Sequence, residues 1–401
     1  MAHGERPLAG DAARSGRRRA SPLDHRPHLC PAAGPDAAVM RIVVSGYYGF
    51  GNLGDEAVLA ATIAALRARI PAARITVLSG RPAQTRRLHN VSAVPRTGAG
   101  VLRALAGADL FLSGGGSLFQ DVTSARSAVY YLSVLALAEL LSRRTMVFAQ
   151  GIGPLRRRPL RRLAALVLNR VSLLTVRDED SLRTLRELNV ARTAHLVADP
   201  VFALEPAPAE HVRQLIGPRG AGPRIGLTLR PWQGDAYVGA VVEALQEVRS
   251  ALGAAIVVFP FHPARDLSLC RAAAAALGGQ VVSDLPPREM MAAIGTVDLL
   301  VGARLHALIC GVATGVPPIG LSYDPKIDAL FRRIGVGQLL PLASLQAGQL
   351  HQAVLDAWQA REELRRRLRE VAGLLREEAL RAADLAAAAA SAGAPPRASE
   401  E

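Results

Sequence analysis

Lysine is almost missing from this chain of 401 residues: of its 48 Lys and Arg residues, every one but Lys326 is arginine. A compositional pressure that puts guanidinium wherever either cation serves makes the position that kept an amine a candidate for chemistry. An ammonium is a compact point charge that approaches a phosphate or carboxylate from any angle, and burial shifts its pKa readily. Aromatics are scarce at 4%, which argues against a polymer-binding surface paved with tryptophan. The three cysteines, Cys30, Cys270 and Cys310, are odd in number and widely spaced. They form neither a metal knuckle nor a disulfide framework, and a reducing cytoplasm fits them. No apolar run is long enough to span a bilayer; the longest, over 130–141, is short and carries Glu139. Residues 1–39 contain arginines but no apolar core of signal-peptide length. No ligand cluster at metal-binding spacing is visible, so no metal is expected.

Charge is present, and it is uneven. The formal net charge is +14, and residues 143–170 hold eight arginines without an acid. Such a stripe suits an anionic membrane surface or a phosphorylated substrate, and it equally suits a solvated helix face. Nucleic acid is not an expected partner, because no recognised binding motif accompanies the charge.

The chain divides by composition. Residues 1–39, rich in Pro, Ala, Gly and Arg, read as a disordered basic arm. Met40 opens the first credible strand and is a candidate start of translation. Over 40–203, β-branched runs at 41–45, 74–78, 109–113, 145–149 and 173–177 alternate with helical stretches at 55–69, 125–141, 160–168 and 179–188. Alternation of this kind predicts a parallel sheet covered by helices on both faces. A Pro/Gly/Ala-rich stretch, 204–223, reads as a linker. The alternation resumes over 224–345, with strands at 224–229, 255–259, 281–283, 298–301 and 318–321. One charged C-terminal helix is expected over 346–385 and a disordered tail over 386–401. The fold class is therefore α/β: two Rossmann-like domains facing each other across a cleft. Ligands of open α/β sheets sit beyond the carboxyl ends of the strands, so strand-to-helix loops should line that cleft.

Those loops carry the polar residues. The first strand ends in Ser45-Gly46-Tyr47-Tyr48-Gly49-Phe50-Gly51-Asn52-Leu53-Gly54-Asp55-Glu56. Its glycine spacing is not a dinucleotide fingerprint, and Asp55 and Glu56 would oppose a phosphate at the following helix start. Acids there are good partners for the helix dipole; as site residues, Asn52 and Asp55 suit sugar hydroxyls. The third strand ends in Ser113-Gly114-Gly115-Gly116-Ser117-Leu118-Phe119-Gln120-Asp121, a glycine cradle followed by Ser117 and Asp121. The next ends in Ala149-Gln150-Gly151-Ile152-Gly153-Pro154. In the second half, Arg230 and His262 stand at strand ends, and Arg304-Leu305-His306 opens an apolar helix. A helix start offers free N–H groups to an anion. Lys326 closes the series in Ser322-Tyr323-Asp324-Pro325-Lys326.

Together, the segments 45–59, 114–121, 149–154, 304–308 and 320–326 resemble the polysaccharide pyruvyl transferases, and within them the bacterial cell-wall branch that decorates polymers anchoring S-layer proteins. The resemblance covers roughly residues 40–340 and is specific because five motifs occur in order. It implies a fold like the GT-B glycosyltransferases and phosphoenolpyruvate as donor substrate, with no cofactor. It implies a ketal bridging two hydroxyls of an N-acetylmannosamine unit, in an acceptor that is a lipid-diphosphate-linked disaccharide. With such an acceptor, the basic stretch after Gly153 would favour peripheral contact with an anionic membrane at its inner face, and the cysteines fit a cytoplasmic location. On this reading His306 is the general acid, and Arg304, Arg230 and Lys326 bind the two anionic ends of the donor. Asn52, Asp55, Ser117, Asp121 and Gln150 face the acceptor, with Asp55 or Asp121 as base. Two other readings remain: a GT-B glycosyltransferase using a nucleotide sugar, and a carbohydrate-binding scaffold that kept the fold without the chemistry.

Overall fold

Runs of apolar residues bounded by turn formers become strands buried on both faces. The structure, a computed structural model, describes residues 39–122 and 124–391. The first half contains β1 (Arg41–Ser45), α1 (Leu53–Arg69), β2 (Arg74–Ser79), α2 (Pro82–His89), β3 (Ser92–Pro95), α3 (Ala99–Ala106), β4 (Leu110–Ser113), β5 (Gly116–Phe119), α4 (Ala125–Leu141), β6 (Thr145–Ile152), α5 (Arg158–Leu168), β7 (Leu173–Val176), α6 (Glu179–Glu187) and β8 (Ala194–Leu196). The second half contains α7 (Glu210–Ile216), β9 (Arg224–Thr228), α8 (Tyr237–Leu252), β10 (Ala255–Val258), α9 (Pro263–Leu277), β11 (Gln280–Val281), α10 (Pro287–Ile294), β12 (Leu299–Gly302), α11 (Leu305–Ala313), β13 (Pro318–Ser322), α12 (Pro325–Ile334), β14 (Gln338–Pro341), α13 (Ala347–Gln359) and α14 (Arg361–Ser391).

Both sheets are parallel. The first has the order β3-β2-β1-β4-β6-β7-β8 with β5 also paired to β6, and the second has β11-β10-β9-β12-β13-β14. β4 and β5 lie one after the other along β6: Ser113 pairs with Val147, and Gly116 with Gln150. Gly114 and Gly115 make the step between them. A Cβ on Gly114 would lie 2.2 Å from the Tyr48 hydroxyl, and one on Gly115 would lie 2.9 Å from Val58. Those two glycines are packing requirements; of the three glycines only Gly116 lines the cleft, followed there by Ser117, Leu118 and Gln120.

The two domains share an apolar seam through α1. Leu59, Ile63 and Leu66 on one side of this helix pack onto its own sheet, while Ala57, Val58 and Ala61 on the other join a core cluster with Phe261, Ala307 and Leu308 of the second domain. Alanines on the outer face let the second domain approach closely. The backbone N–H of Leu53 donates across the seam to the Phe261 carbonyl at 2.8 Å.

Three segments differ from the sequence expectation. The stretch 204–223 is not featureless, since α7 buries Val212 and Ile216 against the second domain's core. The single helix expected over 346–385 is two, meeting at Ala360. Uninterrupted helix formers conceal this break, which occurs because the two pieces serve different cores. α13 places Leu350, Ala353 and Val354 in the second domain's core, whereas α14 runs back and seats Ala382, Ala383 and Ala386 against the first sheet. The expected disordered tail is helical as far as Ser391; the arm over residues 1–38, and Cys30 with it, lies outside the described residues. Short elements with weak periodicity, including the edge strands β3, β8 and β14, add to the strands expected from the sequence. No helix among the described residues is long and apolar enough to cross a membrane.

The return of α14 gives a paired test. Leu375 is buried between the domains and its neighbour Leu374 is 63% exposed. Leu375→Ala is expected to destabilise the fold by about 2–5 kcal/mol, and Leu374→Ala by no more than about 0.5 kcal/mol. Urea unfolding midpoints measure both, and equal midpoints would remove α14 from the core.

Candidate active site

The loops leaving β1, β5, β9, β10, β12 and β13 converge on a cavity of about 490 Å³ between the two sheets. Asn52, Asp55 and Ser117 line it from the first domain, and Arg230, Arg304, His306 and Lys326 from the second. All but Ser117, which lies within β5, stand on segments that follow strand carboxyl ends, where an open parallel sheet puts its ligand. Gln150 and Asp121 are not in its lining. Gln150 is wholly buried, its Oε1 accepting from the Ser113 hydroxyl at 3.3 Å. The Asp121 carboxylate accepts from the backbone N–H groups of Arg156 at 2.9 Å and Arg157 at 2.8 Å. It therefore holds the turn into α5, and of the two carboxylates considered as base only Asp55 faces the cavity.

His306 enters from the second domain in the first turn of α11, with Arg304 as the N-cap residue. Its ring lies against Gly54 of the first domain, where an added Cβ would come 2.4 Å from the imidazole Nδ1. This is the reason for glycine at that position. On its far side, His306 Nε2 lies 3.6 Å from Asp199 Oδ2, longer than a hydrogen bond, so the contact acts through charge. Asp199 is almost fully buried. Burial alone would raise its pKa, but His306 and Arg177 outweigh that and hold the carboxyl well below the usual range. Arg177 donates to Asp199 at 2.6 Å and to the Ser117 hydroxyl at 3.0 Å. A line of polar contacts thus runs Ser117–Arg177–Asp199–His306 from one domain into the other.

Asp55 caps the opposite wall. Burial pushes its carboxyl up to about 6, the His306 charge partly opposing this and Glu56 adding to it. Asn52 donates its side-chain amide to Asp55 and accepts from the Gly54 N–H at 3.2 Å. Glu56, next in sequence, is instead structural: it accepts from the Gly49 N–H and meets His89 Nε2, both at 2.8 Å.

The donor side is cationic. Arg304 is held from below by Asp266, whose other oxygen accepts the His262 N–H at 2.8 Å, and the Arg304 Nε is buried with no partner among the described residues. Arg230 lies over the Tyr323 ring at 4.1 Å and donates to its hydroxyl. Lys326, in the first turn of α12, lies 3.9 Å from Asp324. Burial lowers its ammonium pKa while Asp324 pulls it back up. Three residues of this network, Arg177, Asp199 and Asp266, escape the sequence reading. Arg177 and Asp199 each follow a strand end, but nothing local marks them; Asp266 looks like an ordinary first-turn acid of α9.

The model of the family described as polysaccharide pyruvyl transferase matches residues 52–325. No curated protein is similar enough in sequence to count as a match. Among solved structures, a Listeria monocytogenes protein described as a putative UDP-N-acetylglucosamine 2-epimerase superposes with TM-score 0.61 at 13% identity, covering 88% of this chain and 96% of its own. Anabaena Alr3699/HepE, solved with UDP-glucose, gives 0.58 at 13% identity, covering 87% and 98%. The glycosyltransferase SnogD from Streptomyces nogalater gives 0.50 at 17% identity, covering 87% and 99%. At these identities the likeness concerns the fold, which is GT-B-like.

The raised pKa of Asp55 has a measurable consequence. The folded protein holds this proton more tightly than the unfolded chain, whose carboxyl titrates near 3.8. The cost of burying the charge is therefore absent below that value and complete above about 6. Asp55→Asn is expected to stabilise the fold by up to about 3 kcal/mol near pH 8, the gain shrinking as pH falls toward about 4. Thermal melts across that range check it; a gain independent of pH would show that charge burial is not the cause.

Proposed function

The chain belongs to the polysaccharide pyruvyl transferase family, and on that premise we propose that it transfers an enolpyruvyl-derived unit from phosphoenolpyruvate to a hydroxyl pair of a cell-wall polysaccharide precursor. The acceptor we infer is an N-acetylmannosamine unit in a lipid-diphosphate-linked disaccharide. The observation that carries the donor assignment is the grouping of Arg230, Arg304 and Lys326 around His306 in one cavity, with the Arg304 Nε unpartnered among the described residues. A small donor with a phosphate at one end and a carboxylate at the other matches such a set.

The chemistry then follows from the donor. The methylene carbon of phosphoenolpyruvate must gain a proton before its neighbouring carbon becomes electrophilic. Protonated His306 supplies it, turning the methylene into a methyl group. Buried Asp199, held ionised, lies 3.6 Å behind that imidazole. One acceptor hydroxyl bonds to the electrophilic carbon and gives up its proton to Asp55, whose pKa of about 6 suits a base near neutrality. The carbon–oxygen bond to phosphate breaks, with Arg304, Arg230 and Lys326 offsetting the charge on the leaving group. The second hydroxyl closes the ketal at the same carbon, and its proton leaves with phosphate. No cofactor is needed, because the donor carries its own activation.

The decisive experiment is phosphate release from phosphoenolpyruvate by the purified protein, with and without a lipid-diphosphate GlcNAc–ManNAc acceptor, followed by mass spectrometry of the product. The expected product is heavier by one pyruvyl unit less water. His306→Ala should lower turnover by about 10²–10⁴-fold, the usual worth of a general acid, while phosphoenolpyruvate still binds. Lys326→Ala should weaken donor binding. Near-normal turnover in His306→Ala would remove its role as acid. Binding of a nucleotide sugar without phosphate release from any such acceptor would move the chain to glycosyl transfer.

A further inference from the structure

The outer surface of the first domain has a face that the cleft chemistry does not use. Helices α3, α4 and α5 pack side by side there. On α4 the outward positions are Arg126, Val129, Ser133 and Leu140; the first three are spaced at helical intervals, and the last follows half-buried Ala136 and Leu137. On α5 they include Arg158, Arg162 and Leu166, with exposed Arg170 just past the helix end. α3 adds Leu102 and Arg103. Leu140 is 79% exposed, Leu166 55% and Leu102 49%. These leucines stand among arginines rather than among mixed charges.

The acids of the segment that carries this face are already engaged or muted. Over 97–170 they are Asp109, Asp121 and Glu139. Asp109 pairs with Arg41 and Arg143, and Asp121 accepts backbone N–H groups. Glu139 is half-buried, burial pushing its carboxyl up to about 7 against the pull of Arg170. Arg126, Arg158 and Arg162 have no carboxylate within salt-bridge distance among the described residues. A surface that exposes leucines and leaves arginines uncompensated needs a partner that is both apolar and anionic.

We propose that the α3–α4–α5 face docks the protein on an anionic lipid bilayer, with Leu140 and Leu166 entering the acyl boundary and Arg126, Arg158 and Arg162 meeting lipid phosphates. Each basic side chain at such a surface contributes about 1 kcal/mol, and exposed leucines add apolar burial. A second copy of the chain fits less well. A two-fold interface would lay this predominantly basic patch against itself. Nucleic acid leaves the exposed leucines without a role. The inner side of α4 supplies Ser127 and Tyr131 to the catalytic cavity, with Ser124 at its N-cap, so the helix that touches the membrane also borders the site. The link to a lipid-borne acceptor rests on the proposed function; the docking itself does not.

The test uses the full chain and no substrate. Flotation with phosphatidylcholine vesicles is compared with vesicles of phosphatidylcholine plus phosphatidylglycerol. Binding is expected only to the anionic vesicles, weakening as salt rises. Arg158→Gln combined with Arg162→Gln should weaken it by about thirty-fold, from ~1 kcal/mol per basic residue. Leu140→Trp reports on the face itself, whatever other segments do. The fluorescence this variant adds to that of the unsubstituted chain should shift to the blue with anionic vesicles and be quenched by brominated acyl chains. Binding to neither vesicle, equal binding to both, or an unshifted added signal from the vesicle-bound Leu140→Trp variant would each overturn the proposal. So would self-association in solution that the double arginine substitution abolishes. Vesicle binding without phosphate release would refute the proposed reaction and leave this inference standing.

Discussion

Asp199 is a carboxylate with almost no access to water, 4% exposed. A buried charge must be compensated, and here the compensation comes from both domains: Arg177 from the first at 2.6 Å and His306 from the second at 3.6 Å. The imidazole can therefore sit where it does only while the two sheets face each other in this arrangement. Removing the carboxylate would leave Arg177 buried without its main partner and the imidazole without the negative charge behind it. The same arginine holds Ser117, so one group positions both the first domain's wall and the histidine opposite.

The seam beneath this network explains how the arrangement is kept. α1 is buried on both sides, and glycine, at position 54 near its start, is the only residue type that lets the His306 ring lie against the backbone. α14 crosses back from the second domain, and its arrival is fixed by Arg69 meeting Asp384 at 2.6 Å as well as by its alanine face. A cleft enzyme commonly opens and closes; here apolar packing and a buried charge pair both favour the closed approach. The second domain's arginines, by contrast, are steadied within that domain, Arg304 by Asp266 and Arg230 by Tyr323. The contacts that hold these arginines thus lie within one domain, while the pair of His306 and Asp55 is drawn from both.

The first domain's two surfaces divide the labour. Inward, glycine-rich loops bring backbone and short polar side chains to the cavity. Outward, α3, α4 and α5 carry arginine and leucine with little acid to balance them. One helix, α4, participates in both, which ties the placement of the outer face to the mouth of the site.

Alternation of β-branched runs with helical stretches was sufficient for the parallel α/β class, because strands buried on both faces must be apolar throughout and their crossovers must be helices. The lone Lys326 and the Arg304–His306 pair could be found for a similar reason: strand-end loops in this class face the ligand, and these residues stand at strand ends. Asp121 and Gln150 also stand there, yet one is consumed by the backbone of the next turn and the other is sealed inside the sheet. Sequence position places a residue at a loop but does not say which way its side chain turns or what claims its hydrogen bonds. Arg177, Asp199 and Asp266 are invisible for the complementary reason. Each acts on a partner distant in sequence, as with Arg177–Asp199 at a separation of 22 and Asp266–Arg304 at 38, and only folding brings such charges together. The sequence by itself determined the class of fold and the loops that face the cleft, since both follow from local periodicity. The tertiary structure alone decided which side chains of those loops reach the cavity and in what charge state, since burial and charge compensation are properties of the assembled pair of domains.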